Sequence, residues 1–166
     1  MRKLKLRTID TPRLIIRRPC ITDVHFMYYN WASDPEVTKY LTWSPHESMN
    51  VSELLIQTWI NNENSLNWII EAKKTKEAIG SISLFNTDYK NRSCEVGYCL
   101  SRYYWNQGLM TECIQYIVKY AFKKGMKTIN ALVREENIAS IKVLEKNGFV
   151  EMGKQDKLVR YQKVRM

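Results

Sequence analysis

An α+β (mixed α/β) fold, with helices laid on a central and mostly antiparallel sheet, follows from two features of the sequence. Three strand-like segments succeed one another between residues 66 and 100, and after residue 107 the pattern changes to alternating helix and strand.

The first element is a strand, Arg13-Leu14-Ile15-Ile16-Arg17-Arg18, ending at Pro19; Thr22 or Asp23 can cap the short helix that follows. Pro35 and Pro45 punctuate a loop-rich stretch. From Met49 to Asn61, the residues Val51, Leu54, Leu55, Ile56 and Trp59 recur at helical spacing and predict an amphipathic helix, which Asn61, Asn62 and Asn64 end. Strands are expected over Leu66–Ala72, Ala78–Phe85 and Cys94–Leu100, with the alternation clearest in Ser81-Ile82-Ser83-Leu84. Then come a helix over 108–124, a strand over 127–133, a helix over 137–147, a strand over 149–152 and a last strand over 158–164.

No repeat, low-complexity tract or Gly/Ser linker marks a boundary, so residues 1–166 read as one domain, long enough to bury its own core. Hydrophobic residues at 45% and charged residues at 26% exclude the composition of a disordered chain. The net charge of +9 points to an acidic partner: nucleic acid, an anionic surface or a phosphate-bearing cofactor. Arg2, Lys3, Lys5, Arg7, Arg13, Arg17 and Arg18 crowd the N-terminal stretch, and Lys119, Lys123, Lys124 and Lys127 crowd one helix end. The ordinary reading of both clusters is a solvated face.

Cys20, Cys94, Cys99 and Cys113 form no CxxC pair, and Cys94 and Cys99 fall on opposite faces of one strand, so no disulfide framework is expected. The N-terminus lacks an apolar core of signal-peptide length, and no apolar run approaches the ~20 residues that span a bilayer. A cytoplasmic protein without a membrane partner is expected. With only His25 and His46, no HExxH and no paired cysteines, no metal site is expected; a nucleophile elbow, a Walker loop and GxGxxG are all missing.

The segment richest in chemistry runs from Glu95 to Ala121. A strand, Glu95-Val96-Gly97-Tyr98-Cys99-Leu100, leads through Trp105-Asn106-Gln107-Gly108-Leu109-Met110-Thr111 into an amphipathic helix. Such a turn gathers free backbone N–H groups and the positive end of the helix dipole at one point, which suits an anion. Glycine at 108 equally suits an ordinary strand-to-helix turn. Asn137-Ile138-Ala139-Ser140 opens a second helix with a polar turn that reads as a cap. Gly148 suits its left-handed C-terminal cap, with Phe149 packing back.

Taken together, these segments resemble the GNAT superfamily, and more narrowly the RimJ/RimL-like protein N-acetyltransferases. The resemblance runs along nearly the whole chain, through Thr11-Pro12-Arg13-Leu14, Tyr40-Leu41-Thr42-Trp43-Ser44-Pro45-His46, Ile79-Gly80-Ser81-Ile82, Glu95-Val96-Gly97-Tyr98, Trp105 to Glu112, Glu136 to Ser140, and Val143 to Phe149. It implies a GNAT fold: a twisted sheet of about seven strands flanked by about four helices and splayed between its fourth strand, 94–100, and its fifth, 127–133. It further implies that acetyl-CoA is the acetyl-donor cosubstrate. The pantetheine arm would follow Tyr98, Cys99 and Leu100, and the pyrophosphate would meet amides of Gln107, Gly108, Leu109, Met110 and Thr111. Asn137 and Ser140 would face the thioester. Two positions depart from the family pattern. Met110 stands where a small residue is common, so its side chain must turn away, and Leu144 stands where many members carry a tyrosine acid.

Acetyl transfer from a thioester needs a neutral amine, a donor to the developing oxyanion and a proton for the departing thiolate. A backbone amide near Cys99 or Leu100 is the expected oxyanion donor. Glu95 is the candidate base, acting through water, unless it is a solvated strand carboxylate. Ser140 is the candidate partner of the leaving sulfur, with Tyr98, Tyr103 and Tyr104 as rivals. The acceptor implied by the resemblance is a protein N-terminal α-amine of the ribosomal-protein type, which at pKa ~7.7–8.0 needs less help from a base than a lysine at ~10.4. A small amine (amino acid, polyamine or antibiotic) is the alternative, and a non-catalytic basic ribosome- or RNA-binding factor is a second. Nucleic acid otherwise enters only through a ribosomal substrate. Tyr28 to His46 and Asp88 to Arg92 are the expected substrate-facing parts, and Trp31, Trp43 and Trp59 belong to the core or to a homodimer face.

Overall fold

The computed structural model of the chain describes residues 3–62 and 64–166; Arg2 of the N-terminal basic cluster lies outside them. Among these residues eight strands form, β1 (Ile9–Asp10), β2 (Leu14–Arg17), β3 (Leu66–Ala72), β4 (Ala78–Asp88), β5 (Ser93–Leu100), β6 (Thr128–Arg134), β7 (Val150–Gln155) and β8 (Leu158–Val164). They hydrogen-bond in the order β1-β2-β3-β4-β5-β6-β8-β7. The helices are α1 (Asp23–Met27), α2 (Pro35–Thr38), α3 (Met49–Asn61), α4 (Leu109–Lys123) and α5 (Ile138–Lys146). The expected mixed plan therefore forms, with one strand more than the family resemblance implies. At two residues β1 is too short to register as a pattern.

The chain divides into two compact units, and both β4 and β5 run through the two. The first unit holds residues 5–83 and 98–109. Its β1 and β2 pair antiparallel through the two-residue turn Pro12-Arg13, and β2 pairs antiparallel with β3 from Leu14↔Ala72 to Arg17↔Ile69. The Leu14 N–H donates to the Thr11 hydroxyl (2.9 Å), and the Thr11 N–H donates to the Leu14 carbonyl (3.0 Å).

Neither residue proposed as the cap of α1 does that work. Asp23, buried, accepts from both terminal nitrogens of Arg17 (2.9 and 2.8 Å) and from the Cys20 N–H (2.8 Å), while Thr22 makes no side-chain cap bond. The Arg17 Nε donates to Glu71 on β3 (2.6 Å), so this arginine is a structural strut rather than part of a solvated basic face. The stretch read as loop is likewise more ordered. A π-helical turn spans Tyr28–Ala32, and α2 starts on Pro35 with Asp34 as its N-cap, accepting from the Glu36 N–H at 3.0 Å. Proline at N1 has no amide to lose, which is why it opens a helix here.

Trp31, Met27, Ile56 and Ile69 anchor the core of this unit, with Trp43 and Trp59 packed against it. The three tryptophans thus serve the core. Ser81 and Ser83 do not alternate outward, since β4 is buried on both faces over its first half. Ser81, which is buried, pairs with the Cys99 thiol (3.3 Å), and Ser83, half-buried, donates to Asn67 (2.5 Å).

The second unit is built mainly from 84–97 and 110–166. Here β6 pairs antiparallel with β8 along its whole length, Thr128↔Val164 to Arg134↔Leu158. Strand β7 closes the order as an exposed edge strand with a register shift between Glu151 and Gly153. Helix α5 ends as expected. Gly148 has φ +76°, its N–H reaches the Glu145 carbonyl (2.9 Å), and the Phe149 N–H reaches the Leu144 carbonyl (3.1 Å). This pair of bonds is the Schellman arrangement, and Phe149 is buried beneath it.

Candidate active site

Strand β5 carries the first group of candidate residues. Its parallel ladder with β6 holds three pairs, Ser93↔Thr128, Cys94↔Ile129 and Glu95↔Asn130, and stops at Glu95. Glu95 is half-buried, and its Oε1 accepts from the Asn86 side chain at 3.1 Å. Gly97 leaves room for the ring of Phe85, whose Cε1 lies 3.1 Å from where a β-carbon would stand.

In the first unit, the end of β5 is shaped by Gly80. A β-carbon there would overlap the Cys99 carbonyl and come to 3.0 Å of Leu100 Cα, so β4 and the Tyr98–Leu100 segment approach more closely than a side chain allows. The Ser101 N–H donates to the Ile79 carbonyl (2.7 Å), and the Trp105 indole N–H closes the strand end on the Leu100 carbonyl (2.8 Å). The aromatic stretch after β5 is thus a brace. Among the candidates for the acid, Tyr104 donates to Glu77 (3.3 Å) and lies 3.2 Å from the Thr75 hydroxyl, whereas Tyr103 is exposed with the Arg102 guanidinium 5.8 Å from its ring centre.

Asn106 and Gly108 both have left-handed backbone, φ +58° and +74°, and this pair folds the chain from the brace into α4. A β-carbon on Gly108 would meet only the Arg13 side chain, at 3.5 Å, so dihedral freedom is what demands glycine here. The first amides of α4 have no intrahelical acceptor. Among the described residues no backbone bond outside the regular elements uses the amides of Gln107, Gly108, Leu109 or Met110. Met110, where the family commonly has a small residue, is buried. These features suit an anion held by main-chain donors.

Sequence reasoning missed two residues around this turn. Arg13, at the β1–β2 hairpin, donates from Nη1 to the Gln107 carbonyl at 2.7 Å. In the second unit, Asn147 donates to the carbonyls of Thr111 (3.2 Å) and Val143 (3.0 Å), tying the end of α5 to the first turn of α4. Arg13 belongs to the Thr11-Pro12-Arg13-Leu14 motif, but nothing local announces a partner 94 positions away.

Asn137 and Ser140 meet at the start of α5, where the Asn137 side-chain oxygen accepts the Ser140 N–H at 3.2 Å. Asn137 is therefore a true N-cap. Leu144, at the position of the family's tyrosine acid, is fully buried. The 88–92 turn is held by Asp88, which accepts the N–H of Lys90 and of Asn91 (2.9 Å each); bonds from Asn91 hold its carboxyl below the usual carboxylate range.

Elsewhere in the first unit, an open pocket of about 350 Å³ is lined by Pro35, Thr38, Lys39, Leu41, Thr42, Trp43, Ser44 and Pro45, with no carboxylate among them. Beside it His46, its ring tilted 42° against that of Trp43 with centres 5.0 Å apart, shares a 2.7 Å hydrogen bond with Ser52, and burial lowers its pKa. All four cysteines are free; burial raises the pKa of the Cys94 thiol to about 12, and burial pushes the Cys99 and Cys113 thiols up too. Among the described residues no cluster of three His, Cys, Asp or Glu side chains could hold a metal ion, and no helix is long and apolar enough to cross a membrane.

The acetyltransferase (GNAT) domain family matches residues 13–150. The uncharacterized N-acetyltransferase p20 of Bacillus licheniformis is 34% identical over 153 residues, 89% of this chain and 85% of that one. YoaA of Bacillus subtilis, an uncharacterized N-acetyltransferase, is 33% identical over 87% of this chain and 84% of its own. The fold is also that of RimL, a ribosomal L7/L12 α-N-protein acetyltransferase in complex with coenzyme A (TM-score 0.85, 19% identity, 95% of this chain and 98% of that one). It is shared too by spermidine N-acetyltransferase from Vibrio cholerae in complex with CoA and spermine (TM-score 0.79, 22% identity, 93% and 96%). The chain belongs to the GNAT acetyltransferase family and is an acetyl-CoA-dependent N-acetyltransferase.

Proposed function

We propose that this enzyme acetylates the N-terminal α-amine of a protein, and that residues 1–166 act as a single acetyltransferase domain. The supporting observation is the pocket over residues 35–45, which offers aromatic, hydroxyl and cationic groups but no acidic side chain. A polyamine needs carboxylates to balance its charges, and the net charge of +9 compounds the mismatch. A peptide N-terminus presents one amine and an apolar, hydrogen-bonding chain, which such a lining accommodates.

Acetyl-CoA, when bound, supplies a thioester carbonyl carbon open to a neutral amine. In the proposed site the amides of Gln107, Gly108, Leu109, Met110 and Thr111 hold its diphosphate, and Tyr98, Cys99 and Leu100 line the pantetheine arm. The Cys99 or Leu100 N–H steadies the carbonyl oxygen. Glu95 accepts, through water, the proton that the amine loses as its nitrogen bonds to carbon, and the Ser140 hydroxyl, beside Asn137, donates a hydrogen bond to the sulfur as the C–S bond breaks, the thiolate then taking up a proton from water. The products are an N-acetyl amide and a free thiol.

The reading of a basic RNA-binding factor without catalysis gives way to membership of an enzyme family. The test is a mass-spectrometric screen with acetyl-CoA against three sets of acceptors: peptides with free α-amines, the same peptides Nα-blocked but carrying lysine, and small amines including polyamines. Acetylation of the first set alone is expected. Modification of a polyamine or amino acid with no peptide product overturns the proposal.

A further inference from the structure

We propose that Arg13 is a positioning residue for the acetyl donor: its bond to the Gln107 carbonyl sets the direction of the Gly108 N–H. The proposal rests on the reading that the donor's diphosphate docks on the amides of this turn. Peptide units here are all trans, so the Gln107 carbonyl and the Gly108 N–H lie in one rigid plane and point in opposite directions. Holding the first therefore aims the second. The turn needs such a hold because its flanking residues, Asn106 and Gly108, occupy left-handed backbone, and Gln107 itself is exposed.

Arg13 suits the task by its mounting. It sits in a two-residue hairpin loop whose ends are bonded through Thr11 and Leu14, the latter fully buried, and the Lys73 Nζ donates to the Thr11 carbonyl. The Lys73 N–H also donates to the carbonyl of Arg13 itself, at 3.0 Å. An arginine launched from so constrained a backbone delivers its planar fork with little freedom to lose. Its Nη1 makes the 2.7 Å bond to Gln107, and its Nη2 lies beside Gly108. The guanidinium thus holds the carbonyl end of this peptide unit while adding a positive charge next to the turn.

The test compares wild type, Arg13→Ala and Arg13→Lys in steady-state kinetics with acetyl-CoA and with S-acetylpantetheine, which lacks the diphosphate and nucleotide. CoA-induced thermal shifts are read alongside. Arg13→Ala should raise KM for acetyl-CoA about tenfold, the usual scale for one charged hydrogen bond, with kcat little changed. Activity with S-acetylpantetheine should match wild type, and Arg13→Lys, which keeps one donor, should recover part of the loss. Should Arg13→Ala fail to fold, the lysine variant carries the same comparison with a smaller rise in KM. An unchanged KM, or an equal loss with both donors, overturns the role of Arg13 alone. A wild-type protein that CoA does not stabilise and that transfers no acetyl group overturns the donor-site reading and this proposal together.

Discussion

The Cys99 carbonyl lies against the face of Gly80 on which any other residue carries its β-carbon, and no side-chain rearrangement can relieve that contact because both partners are backbone. Gly80→Ala must therefore push β4 from β5. Overpacking of this kind costs about 1–3 kcal/mol, and a urea denaturation curve should show a lower midpoint, with the unfolding free energy extrapolated to water reduced by that amount. Because Cys99 and Leu100 move with the strand, KM for acetyl-CoA should rise as well. A variant as stable as wild type would mean that the strands relax apart freely.

Arg17 is the second structural position with a large expected effect. Arg17→Ala leaves Asp23, whose side chain is 2% exposed, without its bidentate partner. Breaking a buried pair on one side costs about 3–5 kcal/mol, equivalent to a melting temperature roughly 10 °C lower for a chain of this size. Replacing Asp23 by Asn in the same background should restore part of the loss, since the stranded charge is then removed. The guanidinium pKa is raised, chiefly by its bond to Asp23, so this contribution does not fade as pH rises through the working range.

His46 supplies the pH dependence. Burial favours its neutral ring, so its folded pKa lies below the ordinary value near 6.5. As pH falls the unfolded chain takes up that proton first, so the stability His46 contributes is whole above about pH 6.5 and is lost as pH drops towards the folded pKa. Urea midpoints measured from pH 7.5 to 5 should fall for wild type and fall less for His46→Asn. Parallel slopes would exclude His46 as the source.

Glu95→Gln tests the proposed base with little disturbance, because the amide oxygen can still accept from Asn86. The acetylation rate should drop by about a hundredfold, and the acidic limb of its pH profile between 6 and 9 should flatten. A rate unchanged across that range assigns the proton to water or to the acceptor alone.

What could be read from the chain follows the range of the interactions involved. The cap at Gly148 and Phe149 was legible because a Schellman motif closes within six residues, and strand Leu66–Ala72 was legible because a run of buried β-formers between turn residues needs no distant partner. The alternation of Ser81-Ile82-Ser83-Leu84 gave the strand but not the burial of Ser81, since the partners of Ser81 and Ser83, Cys99 and Asn67, come from other strands. Thr22 and Asp23 misled likewise, because the claim of Arg17 on Asp23 outweighs a helix cap. Gly108 declared a turn, but the hand that steadies it, Arg13, is fixed only by tertiary packing.

The two rims of the sheet are both poor templates for another strand. β1 offers only two residues, and β7, though fully exposed, carries a bulge after Glu151 and a Lys154 engaged with Glu135. Edges blunted in these ways discourage strand addition from neighbouring molecules. The exposed apolar side chains of Val150 and Met152 thus lie on a strand whose bulge, rather than its composition, interrupts the row of groups that a neighbouring strand would pair with.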